Sequence, residues 1–210
     1  PVMWTEHMCR RGSSRGVFIN SGNANACTGE EGYADAAETA RLAAQSIGAE
    51  AEEIGVLSTG VIGVRLPMER IRNGVEACAA ALAVSGGTDA AEAIMTTDTV
   101  PKAMAFEAPL ENRTIRLGAI AKGSGMICPN MATMICVITT DAAIEPEALS
   151  LALSGAVSLS FNRMGVDNDM STSDCVLCLA NGASGLPALQ PGTEAFAMFQ
   201  DMLNRLCQNM

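Results

Sequence analysis

Histidine is almost missing from these 210 residues: His7 stands alone. A Ser-His-Asp site is hard to build from such a chain, and a multi-histidine metal site is excluded within it. Aromatic residues are scarce as well, at 3%. With 49% of residues hydrophobic, the core has to come from Ala, Val, Leu, Ile and Met. Thirteen methionines suit that need, because an unbranched thioether fills irregular gaps. No run reaches the ~18 unbroken apolar residues of a membrane span. The opening PVMWTEHMCRR puts its charges after its few apolar residues, the wrong order for a signal peptide. Basic charge is short: 13 Lys and Arg face 23 Asp and Glu, for a net charge of −10. That balance makes a poor binder of nucleic acid or of an anionic membrane. The single basic cluster, Arg10, Arg11 and Arg15, reads as a solvated turn.

The eight cysteines are scattered, mostly among Ala, Val, Ile and Leu. They read as small buried hydrophobes in a reducing cytosol rather than a disulfide frame, so a cytoplasmic protein is expected. Cys175 and Cys178 form a CxxC in SDCVLCLANG, but that stretch reads as a strand, where i and i+3 point to opposite faces. A metal or redox role is therefore not favoured. DNDMSTSD, residues 167–174, is dense in oxygen ligands but lacks the Gly and the terminal Glu of a calcium loop. KGSG, residues 122–125, is not a phosphate loop, because GxxxxGK[ST] is absent.

Short apolar runs predict strands at residues 16–20, 54–58, 114–121, 133–140 and 174–180. Helices are expected over residues 34–47, from Pro67 to about residue 84, over 88–95, 146–160 and 193–207. The fold class is α/β (α+β), with several strands apolar at every position and so buried between layers.

Unusual residues gather where these elements end. NSGNANACTG (20–29) and STGVIG (58–63) follow strands, TTDT (96–99) follows a helix, and Lys122 opens the loop after another strand. Any one of these alone reads as a turn. The three asparagines of the first loop either bind a polar ligand or satisfy a buried loop. Thr59 and Gly60 could present donors to an oxyanion.

Taken in order, NSGNANACTG, STGVIG, TTDT and KGSGMICPNMATM resemble the glutamate N-acetyltransferase (ornithine acetyltransferase) family of arginine biosynthesis. The resemblance continues through CVITTDA and NDMSTSD, and so covers nearly the whole chain. It implies a layered sandwich of mixed β-sheets covered by helices, in a self-processing enzyme of the N-terminal-nucleophile kind. It implies autocatalytic cleavage between Ala132 and Thr133, with Thr133 as nucleophile, Thr59 and Gly60 as oxyanion hole, and Thr96, Lys122 and Thr133 binding substrate. Residues 1–132 would then belong to an alpha-chain and 133–210 would begin a beta-chain. The implied reaction moves an acetyl group from N-acetylornithine to glutamate through an acetyl-Thr133 intermediate. It needs no metal or cofactor, with acetyl-CoA as a further candidate donor, and two alpha and two beta chains assemble into a heterotetramer.

Elementary chemistry agrees with the implied nucleophile. A hydroxyl needs a base, and a chain with one histidine must find it elsewhere. An N-terminal threonine carries its own, an α-amine with an ordinary pKa of about 7.7–8.0. Relative to the family, the sequence resembles an internal fragment: a leading segment and a long C-terminal segment are missing. The remaining substrate contacts, an acidic residue, an Asn and a Ser or Thr, would lie beyond residue 210. Two rival readings are a self-processing aminopeptidase or amidase, which would pass the acyl group to water, and an inactive binding remnant.

Overall fold

The computed structural model describes every residue except Glu111, Pro129, Asn130, Thr133 and Met170, and only the backbone of Cys128, Met131 and Ala132. The chain opens with helix α1 (Val2–Arg11), strand β1 (Gly16–Asn23) and helix α2 (Gly29–Ile47). A 3-10 turn then leads into β2 (Ile54–Val61), α3 (Met68–Ala80) and the short α4 (Gly87–Ala93). Next come β3 (Lys102–Leu110), β4 (Arg113–Lys122), the two-residue strands β5 (Ile127–Cys128) and β6 (Met131–Ala132), and β7 (Ile135–Thr140). Helix α5 (Pro146–Leu159), strand β8 (Cys175–Ala180) and helix α6 (Glu194–Asn209) complete it.

Three sheets result, the smallest being the antiparallel pair β5–β6. β1 and β2 pair in parallel. β3, β4, β7 and β8 form a mixed sheet in that order, antiparallel except for the β7–β8 pair. One face of this sheet, with Ile115, Leu117, Cys136 and Ile138, packs on α5 and α6 through Ala152, Ala156, Phe199 and Leu203. The parallel pair has its own core, where Ile54 and Val56 meet Ala36, Ala40 and Ala44 of α2. Alanine at those helix positions lets α2 lie close to the strands. The expected α/β layering of helices over mixed sheets is what the structure has.

The expected strands at residues 16–20 and 54–58 are longer than their apolar runs. Pairing continues through Asn20↔Ser58, Ser21↔Thr59 and Gly22↔Gly60, so the supposed polar loops begin as ladder. Backbone hydrogen bonds do not depend on apolar side chains, so the strands run on past the end of their apolar stretches. Four of these elements carry no expectation from the sequence: α1, β3 and the two-residue strands β5 and β6. Arg10 and Arg11 close α1, where cations suit the helix C-terminus, instead of forming a turn. The expected strand over 133–140 is seen from Ile135 onward, and Thr133 lies outside the described residues. Among those residues no helix is long and apolar enough to cross a membrane.

The seven cysteines with described side chains are free thiols. In β8, Cys178 faces the main core while Cys175 is only half-buried. Burial pushes both thiols up to about 12 and the Cys207 thiol to about 11, so these are poor thiolate nucleophiles at neutral pH.

Candidate functional site

The tips of β1 and β2 lie against the C-terminal end of β4, and a cavity of about 700 Å³ opens between them. Thr59, Gly60, Thr96 and Lys122 line it, together with Ser171 and Ser173. Residues 59, 96 and 122, 26 or more positions apart in sequence, thus come to one place. Lys122 is only 2% exposed and donates from Nζ to Thr59 Oγ1 at 3.0 Å, and Thr59 itself is 1% exposed. An ammonium can only donate, so the Thr59 oxygen accepts here and its own O–H remains a donor. Burial lowers the Lys122 pKa. The nearby carboxylates of Asp98 and Asp174 act against that shift, while Lys102 reinforces it.

Gly60 fits its position because nothing larger can. Its φ is +131°, and a Cβ there would come 2.2 Å from the Gly22 carbonyl carbon. The close approach of β1 to β2 at this point sets the cavity wall. The asparagines of the first loop serve the loop itself. Asn20 accepts from Ser58 Oγ at 2.6 Å and donates to Asn23 O at 2.8 Å. Asn23 donates to Arg65 O at 3.0 Å, and Asn25 to Gly32 O at 2.7 Å. These bonds fit the reading in which the asparagines satisfy the loop, while Ser21, Gly22 and Ala24 of the same stretch line the cavity.

Asp98 carries a role the sequence did not suggest. Its carboxylate takes the Lys102 ammonium at 2.6 Å, the Gly123 N–H at 2.7 Å and the Thr96 N–H at 3.3 Å. Burial alone would raise this carboxyl, but those three donors outweigh it and hold its pKa below the ordinary value. Thr97 Oγ1 and Ser124 Oγ add a bond of 2.7 Å between the same two loops. One acid therefore ties the loop bearing Thr96 to the loop following Lys122. The only clue in the sequence was an Asp inside TTDT, a residue type common in any turn. Ser171 and Ser173 were part of the NDMSTSD resemblance but had no assigned role.

The proposed nucleophile Thr133 lies outside the described residues, and of Ala132 only the backbone is described. Its neighbour Met134 is fixed: its N–H donates to Asp174 Oδ1 at 2.8 Å and its carbonyl accepts from Cys175 N–H at 2.9 Å. Ile135 then enters β7, an interior strand of the mixed sheet. Among the described residues no group of three His, Cys, Asp or Glu could hold a metal ion.

Comparison with known proteins gives consistent matches. The ArgJ family model matches residues 1–210. An arginine biosynthesis bifunctional protein ArgJ from Symbiobacterium thermophilum is 55% identical over 203 residues, covering 97% of this chain and 50% of the relative. The crystal structure of an arginine biosynthesis bifunctional protein from Bacillus halodurans covers 55% of this chain and 61% of its own, at 41% identity and a TM-score of 0.50. An ornithine acetyltransferase from Mycobacterium tuberculosis, complexed with ornithine, covers 62% of this chain and 69% of its own, at 39% identity and a TM-score of 0.54. The chain spans about half the length of the curated relatives it matches.

Proposed function

The chain belongs to the ArgJ family, and from that premise we propose that it carries part of an acetyl-transfer centre served by an N-terminal threonine. The reaction moves the acetyl group of N-acetylornithine to glutamate. In maturation the Thr133 hydroxyl attacks the Ala132 carbonyl carbon, the Ala132–Thr133 C–N bond breaks and an ester forms. Water hydrolyses the ester, leaving an Ala132 carboxylate and a free Thr133 α-amine. In turnover the Thr133 oxygen takes the acetyl group and ornithine leaves. The glutamate amine then attacks the acetyl ester and restores the hydroxyl. The new α-amine holds the proton at each exchange, since the ordinary pKa of an α-amine, about 7.7–8.0, lies near working pH.

The observation that carries this reading is the buried Lys122–Thr59 contact at 3.0 Å. It turns the Thr59 hydroxyl into a donor backed by a cation, as an oxyanion requires. Gly60 beside it is the second oxyanion position, and Thr96 and Lys122 take the substrate's polar groups. Support also comes from a relative 39% identical to this chain that is named for ornithine acetyl transfer and holds ornithine. Nothing in this sequence of steps calls for a metal or cofactor, and acetyl-CoA is a second candidate donor. Residues 1–132 would form part of an alpha-chain and 133–210 the start of a beta-chain, two of each in a cytoplasmic heterotetramer.

The intact mass of the full-length gene product tests the proposal. Two chains meeting at Ala132/Thr133 are expected, with acetyl transfer from N-acetylornithine to glutamate. Thr133→Ala should stay uncut and inactive. A single uncut chain that still transfers acetyl groups would overturn the mechanism, and release of acetate without transfer would make the enzyme an amidase.

A further inference from the structure

DNDMSTSD fits no calcium loop, yet both of its end carboxylates reach across about forty residues to the segment around Ala132–Thr133. The short strands β5 and β6 pair Ile127 with Ala132 and Cys128 with Met131. Asp167 holds the first of them: Oδ2 accepts the Met126 N–H at 2.6 Å and Oδ1 the Ile127 N–H at 2.9 Å. The Val166 N–H donates to the Ile127 carbonyl at 2.8 Å. Met126 sits at φ +56°, a left-handed conformation that costs a non-glycine residue energy and persists only where neighbours enforce it. On the other side of the bond, Asp174 accepts the Met134 N–H at 2.8 Å and Cys175 donates to the Met134 carbonyl at 2.9 Å.

We propose that Val166, Asp167, Asp174 and Cys175 act as a clamp that holds the chain on both sides of the Ala132–Thr133 bond for cleavage, with Asp167 and Asp174 as its positioning residues. This rests on the self-cleavage reading above. The attack joins an oxygen of residue 133 to the carbonyl carbon of residue 132, so the backbone on both sides must be held while the bond between them changes. One end of the clamp acts on Ala132 through its partner Ile127, and the other acts on Met134 directly. Carboxylates suit the task because a charged acceptor binds a backbone N–H about twice as strongly as a neutral one. Small displacements matter in such a reaction: about 1 Å of misplacement can cost on the order of 10²-fold.

The test uses the full-length protein, with wild type, Asp167→Asn, Asp174→Asn and Asp167→Glu followed by pulse-chase and intact mass. Each Asn variant is expected to slow the appearance of two chains by roughly 10- to 10²-fold, and Asp167→Glu to recover part of the rate. Thermal unfolding is measured on the same substitutions in the uncut Thr133→Ala background, where the midpoint should stay near that of Thr133→Ala alone. Wild-type cleavage rates in both Asn variants would overturn the clamp while leaving the cleavage reading intact. Slow cleavage that merely follows a large drop in unfolding midpoint would also overturn it, as would a failure of Asp167→Glu to recover any rate. An uncut wild type would bring down the cleavage reading and the clamp together.

Discussion

At the scale of single residues, Lys122 is the clearest case of a charge held at a cost in stability. Its ammonium is buried, and burial lowers its pKa. The charged form is thus disfavoured in the folded protein. Between the lowered folded value and the ordinary value of about 10.4, the unfolded chain binds the proton and the folded one does not. Folding stability attributable to this group therefore rises with pH across that window. Lys122→Met removes the penalty, so its unfolding midpoint at neutral pH should equal or exceed wild type, and wild type should catch up as pH rises. Cleavage and transfer should fall by on the order of 10²–10³-fold, as on losing one oxyanion-site contact. Differential scanning calorimetry across pH, with rate assays, checks both halves. A midpoint well below wild type at neutral pH would mean that Lys122 supports the fold. Thr59→Ala should slow the reaction by on the order of 10²-fold. That Thr59, Gly60, Thr96 and Lys122 belong together was implied by the family resemblance of their short motifs, and the four do line one cavity. Asp98 was not legible, because its importance comes from donors at 96, 102 and 123 that only the fold assembles.

At the scale of elements, the sequence was most readable where burial is complete and less readable where one face is only half-buried or few residues are buried. β2 is buried at six successive positions and announced itself. β3 alternates between exposed and half-buried residues along an outer edge of the sheet, and its Ala-rich sequence gives no strong period. Helix α1 was missed because it buries only Thr5 and Met8 and mixes charges with apolar residues. Its contribution is a polar one. The Thr5 hydroxyl donates to the Val56 carbonyl at 2.6 Å and accepts the Val56 N–H at 2.8 Å, and Trp4 Nε1 donates to the Ile54 carbonyl at 2.9 Å. These side chains occupy hydrogen-bonding groups of β2 on the side away from β1, where a third strand would otherwise pair. Thr5→Val keeps the shape and leaves two buried backbone groups unmatched. It should cost about 1–3 kcal/mol by chemical denaturation, whereas Thr5→Ser, which keeps the hydroxyl, should cost much less. Equal losses for the two would show that the methyl contact matters and the hydroxyl does not.

At the scale of the whole molecule, the cavity lies where two separately packed bodies meet. One is the parallel pair with α2, and the other is the mixed sheet with α5 and α6. The Lys122–Thr59 bond spans them, as does the bond from Ser21 Oγ to Ala93 O at 2.7 Å, because α4 packs on β3 and β4 of the mixed sheet. A seam between cores is a common place for a ligand site, because groups from both sides can converge without either core being opened. It also couples binding to stability: a ligand that touches both bodies and binds only the folded state stabilises the whole. For the proposed ligand ornithine at one hundred times its Kd, linkage gives about 2.7 kcal/mol. The full-length wild-type protein should therefore show a rise in unfolding midpoint that grows with the logarithm of ornithine concentration. The rise should shrink sharply in Lys122→Met, although that variant starts from an equal or higher midpoint without ligand. That opposite ordering separates a lost ligand contact from a damaged fold. If ornithine shifts Lys122→Met as far as wild type, Lys122 acts in the chemistry alone and the ligand is held by other residues of the cavity.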